Sequence, residues 1–161
     1  MLLDLDAYTV MVDLIREFRP DALICQHPVE VGRFDHMEAG RFAVAAADYA
    51  RAEGFPSALA PHAVPHLFMS YYQDFPTEQL MGGPRHAPEV IVDISDVIDI
   101  KREAMLQFAE TQAKEGEDYR RRLDKFFEQV DGAAGYIHGF DYAERFTRWH
   151  PERVQYLPLR N

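Results

Sequence analysis

Residues 19–40, RPDALICQHPVEVGRFDHMEAG, decide the fold class of this chain. Within them, residues 22–25 form a short apolar run, which is typical of a strand buried in a parallel sheet. Pro20 separates this run from a preceding helical pattern, because a proline disfavours helical geometry in the residue before it. A polar loop follows, and a helix is predicted over 35–53. A strand that leads through a loop into a helix predicts an α/β layer.

The same signals predict further elements on both sides of this segment. Apolar residues at helical spacing indicate helices, and short apolar runs between turn residues indicate strands. Gly132 and Gly135 are expected to end the helix that begins near Leu123, before the last helix. The predicted elements are a helix over 5–19, strands over 64–72 and 90–93, and helices over 95–112, 123–130 and 141–149.

Strands that alternate with helices predict a mostly parallel sheet. The length of 161 residues is that of a single domain, which we assign to 1–161. The pattern provides only three short strands, whereas an open sheet usually has about five or six. The number of predicted strands is therefore small for the fold that they indicate.

Composition excludes several classes of protein. The net charge of −10 opposes the phosphate backbone, so we expect no nucleic-acid partner. Cys25 is the single cysteine, which excludes an intrachain disulfide. No apolar stretch is long enough to predict a membrane span, and no basic segment precedes an apolar run as in a signal peptide. The expected location is cytoplasmic.

Residues with metal-binding and acid–base chemistry are concentrated in the connection after the first predicted strand. It holds two histidines, His27 and His36, with the carboxylates Glu30, Asp35 and Glu38. Histidine with Asp or Glu is a ligand set of catalytic zinc, and ligands of α/β sheets bind at the carboxyl ends of strands. The alternative is structural: Asp35 and Glu38 match a capping box, and His36 is then only an exposed residue of the first turn.

Several segments, taken in order, resemble one known superfamily. They are residues 19–24 with His27-Pro28, residues 34–40, the aromatic segment 68–72, residues 92–97 followed by Lys101, Ala104 and Thr111-Gln112, and residues 142–146. Their order and spacing resemble the LmbE-like, or PIG-L, superfamily, which includes zinc-dependent de-N-acetylases of N-acetylglucosamine conjugates.

The resemblance implies a Rossmann-like three-layer α/β sandwich with a mostly parallel sheet. It also implies roles for individual residues. His36 is the expected zinc ligand, Asp35 belongs to the same Asp-His pair, and Arg33 stands where the family usually has a histidine that supports the transition state. Arg33 would stabilise an oxyanion as a fixed cation but cannot exchange a proton. The residues expected to contact the substrate are His27, His66, Tyr72 and Asp93.

The sequence departs from the family at its beginning, because it has no Ala-His-Pro-Asp-Asp-like loop. That loop supplies the family's other zinc ligands and its aspartate base. We therefore expect the chain to correspond to the C-terminal two-thirds of an LmbE-like domain, with the N-terminal strands missing. Such a chain would expose sheet edges, so self-association is expected.

Three functions remain open from the sequence. The first is a zinc-dependent hydrolase that deacetylates an N-acyl amino sugar or a similar amide. The second is a zinc-dependent hydratase of an unsaturated carboxylic acid, resembling 4-oxalomesaconate hydratase, because an arginine at position 33 suits a carboxylate substrate. The third is an inactive remnant or an interaction module. Both enzymes would act on a small molecule.

Overall fold

The computed structural model describes residues 5–29, 33–70, 90–111 and 117–150. Within them the chain forms two compact units, and the boundary near the C-terminus falls between Phe146 and Thr147. The elements are α1 (Leu5–Phe18), β1 (Ala22–Gln26), α2 (Phe34–Arg51), β2 (His66–Ser70), β3 (Val90–Asp93), a 3₁₀ turn (Ser95–Val97), α3 (Ile98–Thr111), α4 (Glu117–Phe127), a π-helical turn (Glu128–Gly132), α5 (Ala133–His138) and β4 (Ala143–Arg148).

The first unit contains a parallel strand pair. β1 and β2 run side by side from the pair Ala22 and His66 to the pair Gln26 and Ser70. Alternate residues of a strand point to opposite faces of the sheet. One face, formed by Leu23, Cys25, Leu67 and Met69, packs against Val44 and Ala47 of α2. The other face carries Ala22, Ile24, Gln26, His66, Phe68 and Ser70.

Helices α1 and α2 pack together through small and β-branched residues. Val12 and Ile15 of α1 meet Ala46 and Ala50 of α2, and Leu23 of β1 lies against the same cluster. Alanines on α2 allow the two helices to approach closely. This packing fixes α2 against β1.

An arginine is buried in this unit without a carboxylate partner among the described residues. Arg16 is 3% exposed. Its guanidinium donates to the backbone oxygens of Ala50 (3.0 Å), Leu59 (2.9 Å) and Ala52 (2.6 Å). These carbonyls lie at and beyond the last turn of α2, where a helix leaves carbonyls unpaired and carries partial negative charge.

The second unit has its own core and an antiparallel pair. β3 pairs with β4 from Val90 and Phe146 to Asp93 and Ala143. Its hydrophobic cluster consists of Ile94, Ile98, Leu123 and Phe127. Lys101 of α3 forms ion pairs of 2.7 Å with Asp131 of the π-helical turn and with Glu144 of β4. This links two of the segments that carry the family resemblance.

The predicted helix over 141–149 is wrong, because residues Ala143–Arg148 form the strand β4. The two predicted helix breaks are also wrong. The helical backbone continues through Gly132, from the π-helical turn directly into α5, and Gly135 lies inside α5. A Cβ at Gly135 would lie 2.7 Å from the backbone of Asp141, so this glycine permits close packing. Gly139 ends the helix instead, at φ 83°.

The α/β class is confirmed, with a parallel pair and an antiparallel pair among the described strands. The strand predicted over 64–72 is described as His66–Ser70, and residues 71–72 lie outside the described ranges. None of the helices in the described part of the chain has the length and apolar character needed to cross a membrane.

Candidate functional site

The candidate site lies where the two parallel strands end. β1 ends at Gln26, and its register partner Ser70 ends β2, so both carboxyl ends meet at one edge. The loop after β1 leads into helix α2, which begins at Phe34. Ligands of α/β proteins bind outside this edge.

Gly40 lies in the second turn of α2, and because it has no side chain the helix approaches the end of β1 closely. A Cβ atom at Gly40 would overlap the carbonyl oxygen of Gln26 and lie 3.0 Å from the nitrogen of Pro28. Any larger residue would push the helix away from the strand. The glycine therefore sets the distance between the start of α2 and the strand end.

His36 lies one helical turn before Gly40, on the same face of α2, because residues four apart in a helix are stacked. With a rise of about 1.5 Å per residue, it lies about 6 Å further along the helix axis, toward the helix start. The face that touches the end of β1 at Gly40 therefore carries His36 beyond the strand end. Its side chain is half-buried.

Arg33 and Asp35 flank the start of α2. Arg33 is the N-cap residue and is exposed, and Asp35 is exposed in the first turn. An acidic side chain in the first turn interacts favourably with the positive end of the helix dipole. The structure thus brings Arg33, Asp35 and His36 together at the beginning of one helix.

The capping-box alternative is not formed at this helix. The N-cap residue is Arg33, and Glu38 forms an ion pair of 3.0 Å with Arg41. Arg41 also donates through Nε to the oxygen of Pro28, at 3.3 Å, and so ties α2 to the loop.

His27 is a buried residue of the loop. It is 7% exposed, and its Nδ1 accepts a hydrogen bond of 3.2 Å from the backbone N–H of Val29. Nδ1 can accept only when it carries no proton, so a neutral His27 holds its proton on Nε2. The ring thus holds the backbone at Val29. Its predicted contact with substrate stays a prediction.

Of the other three predicted substrate contacts, one lies at the opposite end of β2, one belongs to the second unit and one lies outside the described residues. His66 begins β2, about 13 Å along the strand from Ser70 at a rise of about 3.3 Å per residue. Asp93, in the second unit, accepts hydrogen bonds from the backbone N–H (3.0 Å) and Oγ (2.6 Å) of Ser95, and these bonds lower the pKa of its carboxyl. Tyr72 lies outside the described residues.

Sequence reasoning missed two polar residues at the edge. The hydroxyl of Ser70 lies 3.3 Å from both the backbone oxygen of Cys25 and Oε1 of Gln26. Gln26 begins a predicted loop and Ser70 lies within the strand predicted over 64–72, and only the strand register shows that they are neighbours. Burial raises the pKa of the Cys25 thiol to about 11, so this cysteine is not a nucleophile near neutral pH.

The described residues do not by themselves fit a catalytic zinc, which takes three protein ligands. Across residues 5–29, 33–70, 90–111 and 117–150, no three His, Cys, Asp or Glu side chains are grouped so that they could hold a metal ion. His36 therefore does not belong to a three-ligand group within the described part of the chain.

Comparison with known proteins identifies the fold. No protein-family profile matches the chain, and no curated protein matches it. Among solved structures, it is similar to GalB, the 4-carboxy-2-hydroxymuconate hydratase of Pseudomonas putida, with a TM-score of 0.73 and 22% identity over 98% of this chain. The conserved protein TT1542 of Thermus thermophilus gives a TM-score of 0.71 and 25% identity over 98% of this chain.

A third similar structure is the N,N'-diacetylchitobiose deacetylase of Pyrococcus horikoshii, with a TM-score of 0.68 and 18% identity over 89% of this chain. The chain spans 64% of the hydratase, 64% of TT1542 and 51% of the deacetylase. The chain therefore shares an α/β fold with these proteins, two of which are enzymes by their names, while the mostly parallel three-layer sandwich stays a prediction.

Proposed function

We propose that this chain is an LmbE-like polypeptide with a Rossmann-like sheet, and that it contributes to a zinc-dependent hydrolase of an N-acyl amino sugar or a similar amide. One observation supports this most strongly. The chain shares its fold with a deacetylase and a hydratase, and Arg33, Asp35 and His36 lie at the start of the helix that follows the carboxyl end of β1.

His36 is the metal-binding residue of the proposal. The imidazole of His36 is a zinc ligand, and zinc supplies activation of water when it is bound. Because the described residues hold no group of three ligands, the remaining ligands are not assigned, and no step is derived through the metal. Asp35 lies next to His36 in the first turn of α2.

Arg33 sets the charge of the site. Its guanidinium stays protonated, so it stabilises negative charge that develops on an acyl oxygen but does not transfer a proton. Negative charge is further favoured here by the positive end of the α2 dipole. Hydrolysis of an amide develops such charge at the carbonyl oxygen.

A second candidate function has specific support from Arg33. An arginine binds a carboxylate through two parallel hydrogen bonds, which suits hydration of an unsaturated carboxylic acid. The structurally similar hydratase acts on a carboxylated compound, according to its name. Both candidates add water to a small substrate, and they differ in the bond that water attacks.

The products distinguish the two reactions. The chain is incubated with zinc and either N,N'-diacetylchitobiose or 4-carboxy-2-hydroxymuconate, and the products are analysed by mass spectrometry. Release of acetate with a free amine supports the hydrolase, whereas a single product heavier by one water supports the hydratase. If neither substrate is converted, the proposed enzyme is refuted for both substrates.

A matched pair of variants assigns the activity to the site. His36→Ala removes the proposed ligand, and His138→Ala removes an exposed histidine at the end of α5. We expect the first variant to lose activity and zinc, measured by elemental analysis, and the second to keep both. Equal effects of the two changes would contradict the assignment.

A further inference from the structure

We propose that the outer edge of β1 and an exposed apolar face of α1, formed by Val10, Leu14 and Phe18, together are a docking surface for an apolar β-strand of another polypeptide segment. That strand adds to the sheet beside β1 and lies beneath α1. The inference concerns the first unit alone and does not depend on the proposed function.

The backbone of β1 presents hydrogen-bonding groups at its outer edge. The N–H of His66 donates to the oxygen of Asp21 at 3.1 Å, so the alternation along a strand turns the backbone groups of Ala22 and Ile24 away from β2. The described strand order places no strand on that side of β1. Residues 22–26 also contain none of the charged residues or prolines that protect natural strand edges, and the side chain of Ile24 is 60% exposed.

Helix α1 carries an apolar face besides the one that packs on α2. Val10, Leu14 and Phe18 follow one another at four-residue spacing, so their side chains lie along one face. They are 62%, 54% and 82% exposed. A surface helix needs one apolar stripe to pack on its own core, so a second stripe marks a surface that another element covers.

The position of α1 leaves space for a strand beside β1. Leu23 of β1 packs against Val12 and Ile15 of α1, whereas Leu67 and Met69 of β2 pack against α2. Helix α1 therefore lies on the side of β1 away from β2. Packed helices are about 8–10 Å apart and paired strands about 4.8 Å apart, so α1 extends past β1 and over the position of a further strand.

Shape and charge favour a separate strand over a second copy of this chain. Two copies paired through β1 across a two-fold axis would each bring an overhanging α1 against the α2 of the other. Asp6 and Glu17 are exposed beside the apolar face, so identical faces would also repel each other, whereas a strand with basic flanks is attracted.

The similar structures include polypeptide that could supply such a strand. The hydratase and TT1542 are each matched over 64% of their length, so roughly a third of each chain has no counterpart in this one. An apolar strand from a segment of this kind satisfies the backbone groups of β1 and covers the exposed face of α1.

The test is a titration of the ¹⁵N-labelled chain with the synthetic peptide KKVIVTVKK, which has a strand-forming centre and basic flanks. Amide hydrogen exchange is followed by NMR. We expect the peptide at saturation to slow exchange of the Ile24 amide at least about tenfold. The control peptide KKVIPTVKK has a proline at its centre, which interrupts strand pairing, and should leave that exchange unchanged. Equal protection by both peptides, or none by either, would overturn the proposal.

Variants locate the binding surface. Leu14→Glu and Ile24→Lys place a charge on the proposed surface at residues more than half exposed, and each should weaken binding of KKVIVTVKK at least about tenfold. Tyr136→Glu is the matched control, because Tyr136 is 87% exposed in the second unit, and it should leave binding unchanged. Circular dichroism verifies that each variant is folded. Equal binding by all three variants would refute the assignment to this surface.

Light scattering during size-exclusion chromatography separates a partner strand from a second copy. Self-association that KKVIVTVKK reverses supports the proposal, because the peptide then competes for the surface. A dimer that Leu14→Glu dissolves and the peptide leaves intact would overturn the proposal in favour of a second copy.

Discussion

Replacing the buried Arg16 should destabilise the first unit strongly. Its guanidinium makes hydrogen bonds of 2.6 to 3.0 Å to the backbone oxygens of Ala50, Leu59 and Ala52. In Arg16→Met the apolar stem is kept, but these carbonyls lose a charged donor. Arg16 also lies over the ring of Phe55, at 5.9 Å from the ring centre, and that contact is lost as well.

The expected magnitude follows from the unpaired carbonyls. The bond to the Ala50 oxygen is buried, and a buried acceptor left without a donor costs about 1–3 kcal/mol. The bonds to Leu59 and Ala52 are partly buried and contribute less each, while removal of the buried charge recovers part of its desolvation penalty. We therefore expect a loss of about 3 kcal/mol for Arg16→Met. For a chain of this size that corresponds to a decrease in Tm of roughly 6–12 °C. Arg16→Lys, a point charge without the planar fork, should lose about half as much.

Thermal and urea unfolding followed by circular dichroism measure this loss. The control is Arg51→Met, which removes an exposed ion pair with Asp48 and should change stability by about 0.5 kcal/mol or less. If the Tm of Arg16→Met lies within about 2 °C of the wild-type Tm, the helix-capping role of Arg16 is refuted.

Three further predictions follow from contacts elsewhere in the two units. Gly40→Ala should lower the free energy of unfolding by about 1–3 kcal/mol, because the added methyl group overpacks the strand end. Gly54→Ala, with open space around the residue, should not destabilise the chain. Equal stabilities of the two variants in urea would contradict the close approach of α2 to β1. Cys25, whose pKa burial raises to about 11, should react with iodoacetamide at pH 8 at least about 100-fold more slowly than free cysteine, and labelling at the free rate would contradict its burial. Lys101→Met should destabilise by about 3 kcal/mol at neutral pH, because it removes the ammonium group that donates to the buried Asp131 carboxylate. Burial raises the pKa of the Asp131 carboxyl, so this group is protonated more easily in the folded state. The loss of stability caused by Lys101→Met should therefore shrink as the pH falls through that pKa. A loss of stability that does not depend on pH would refute the role of this ion pair.

Much of the first unit could be predicted from the sequence because local signals and tertiary packing agree there. Pro20 ends the first helical pattern, the run at 22–25 is apolar throughout, and the structure places α1 at Leu5–Phe18 and β1 at Ala22–Gln26. The strand at Val90–Asp93 was likewise predicted. In these segments one periodicity dominates, so the sequence determines the element.

The C-terminal part was predicted less well because its structure depends on contacts distant in sequence. Residues Ala143–Arg148 form a strand by pairing with β3, although their local composition permits a helix. Gly135 stays helical because the chain at Asp141 packs against it, and a glycine signal alone does not distinguish close packing from a break.

The candidate site was predicted in part for the same reason. His36, Asp35 and Arg33 are adjacent in sequence, so a motif reveals them. Gln26 and Ser70 are 44 residues apart, and only strand register brings their side chains together. Self-association of the chain stays a prediction.

The central claim, that the start of α2 is a catalytic site, is tested most directly by the rate of water addition in His36→Ala relative to the wild-type chain. On whichever substrate the wild type converts, we predict that kcat falls at least about 100-fold, because a proposed metal ligand is lost. A kcat for His36→Ala equal to that of the wild type would contradict the claim.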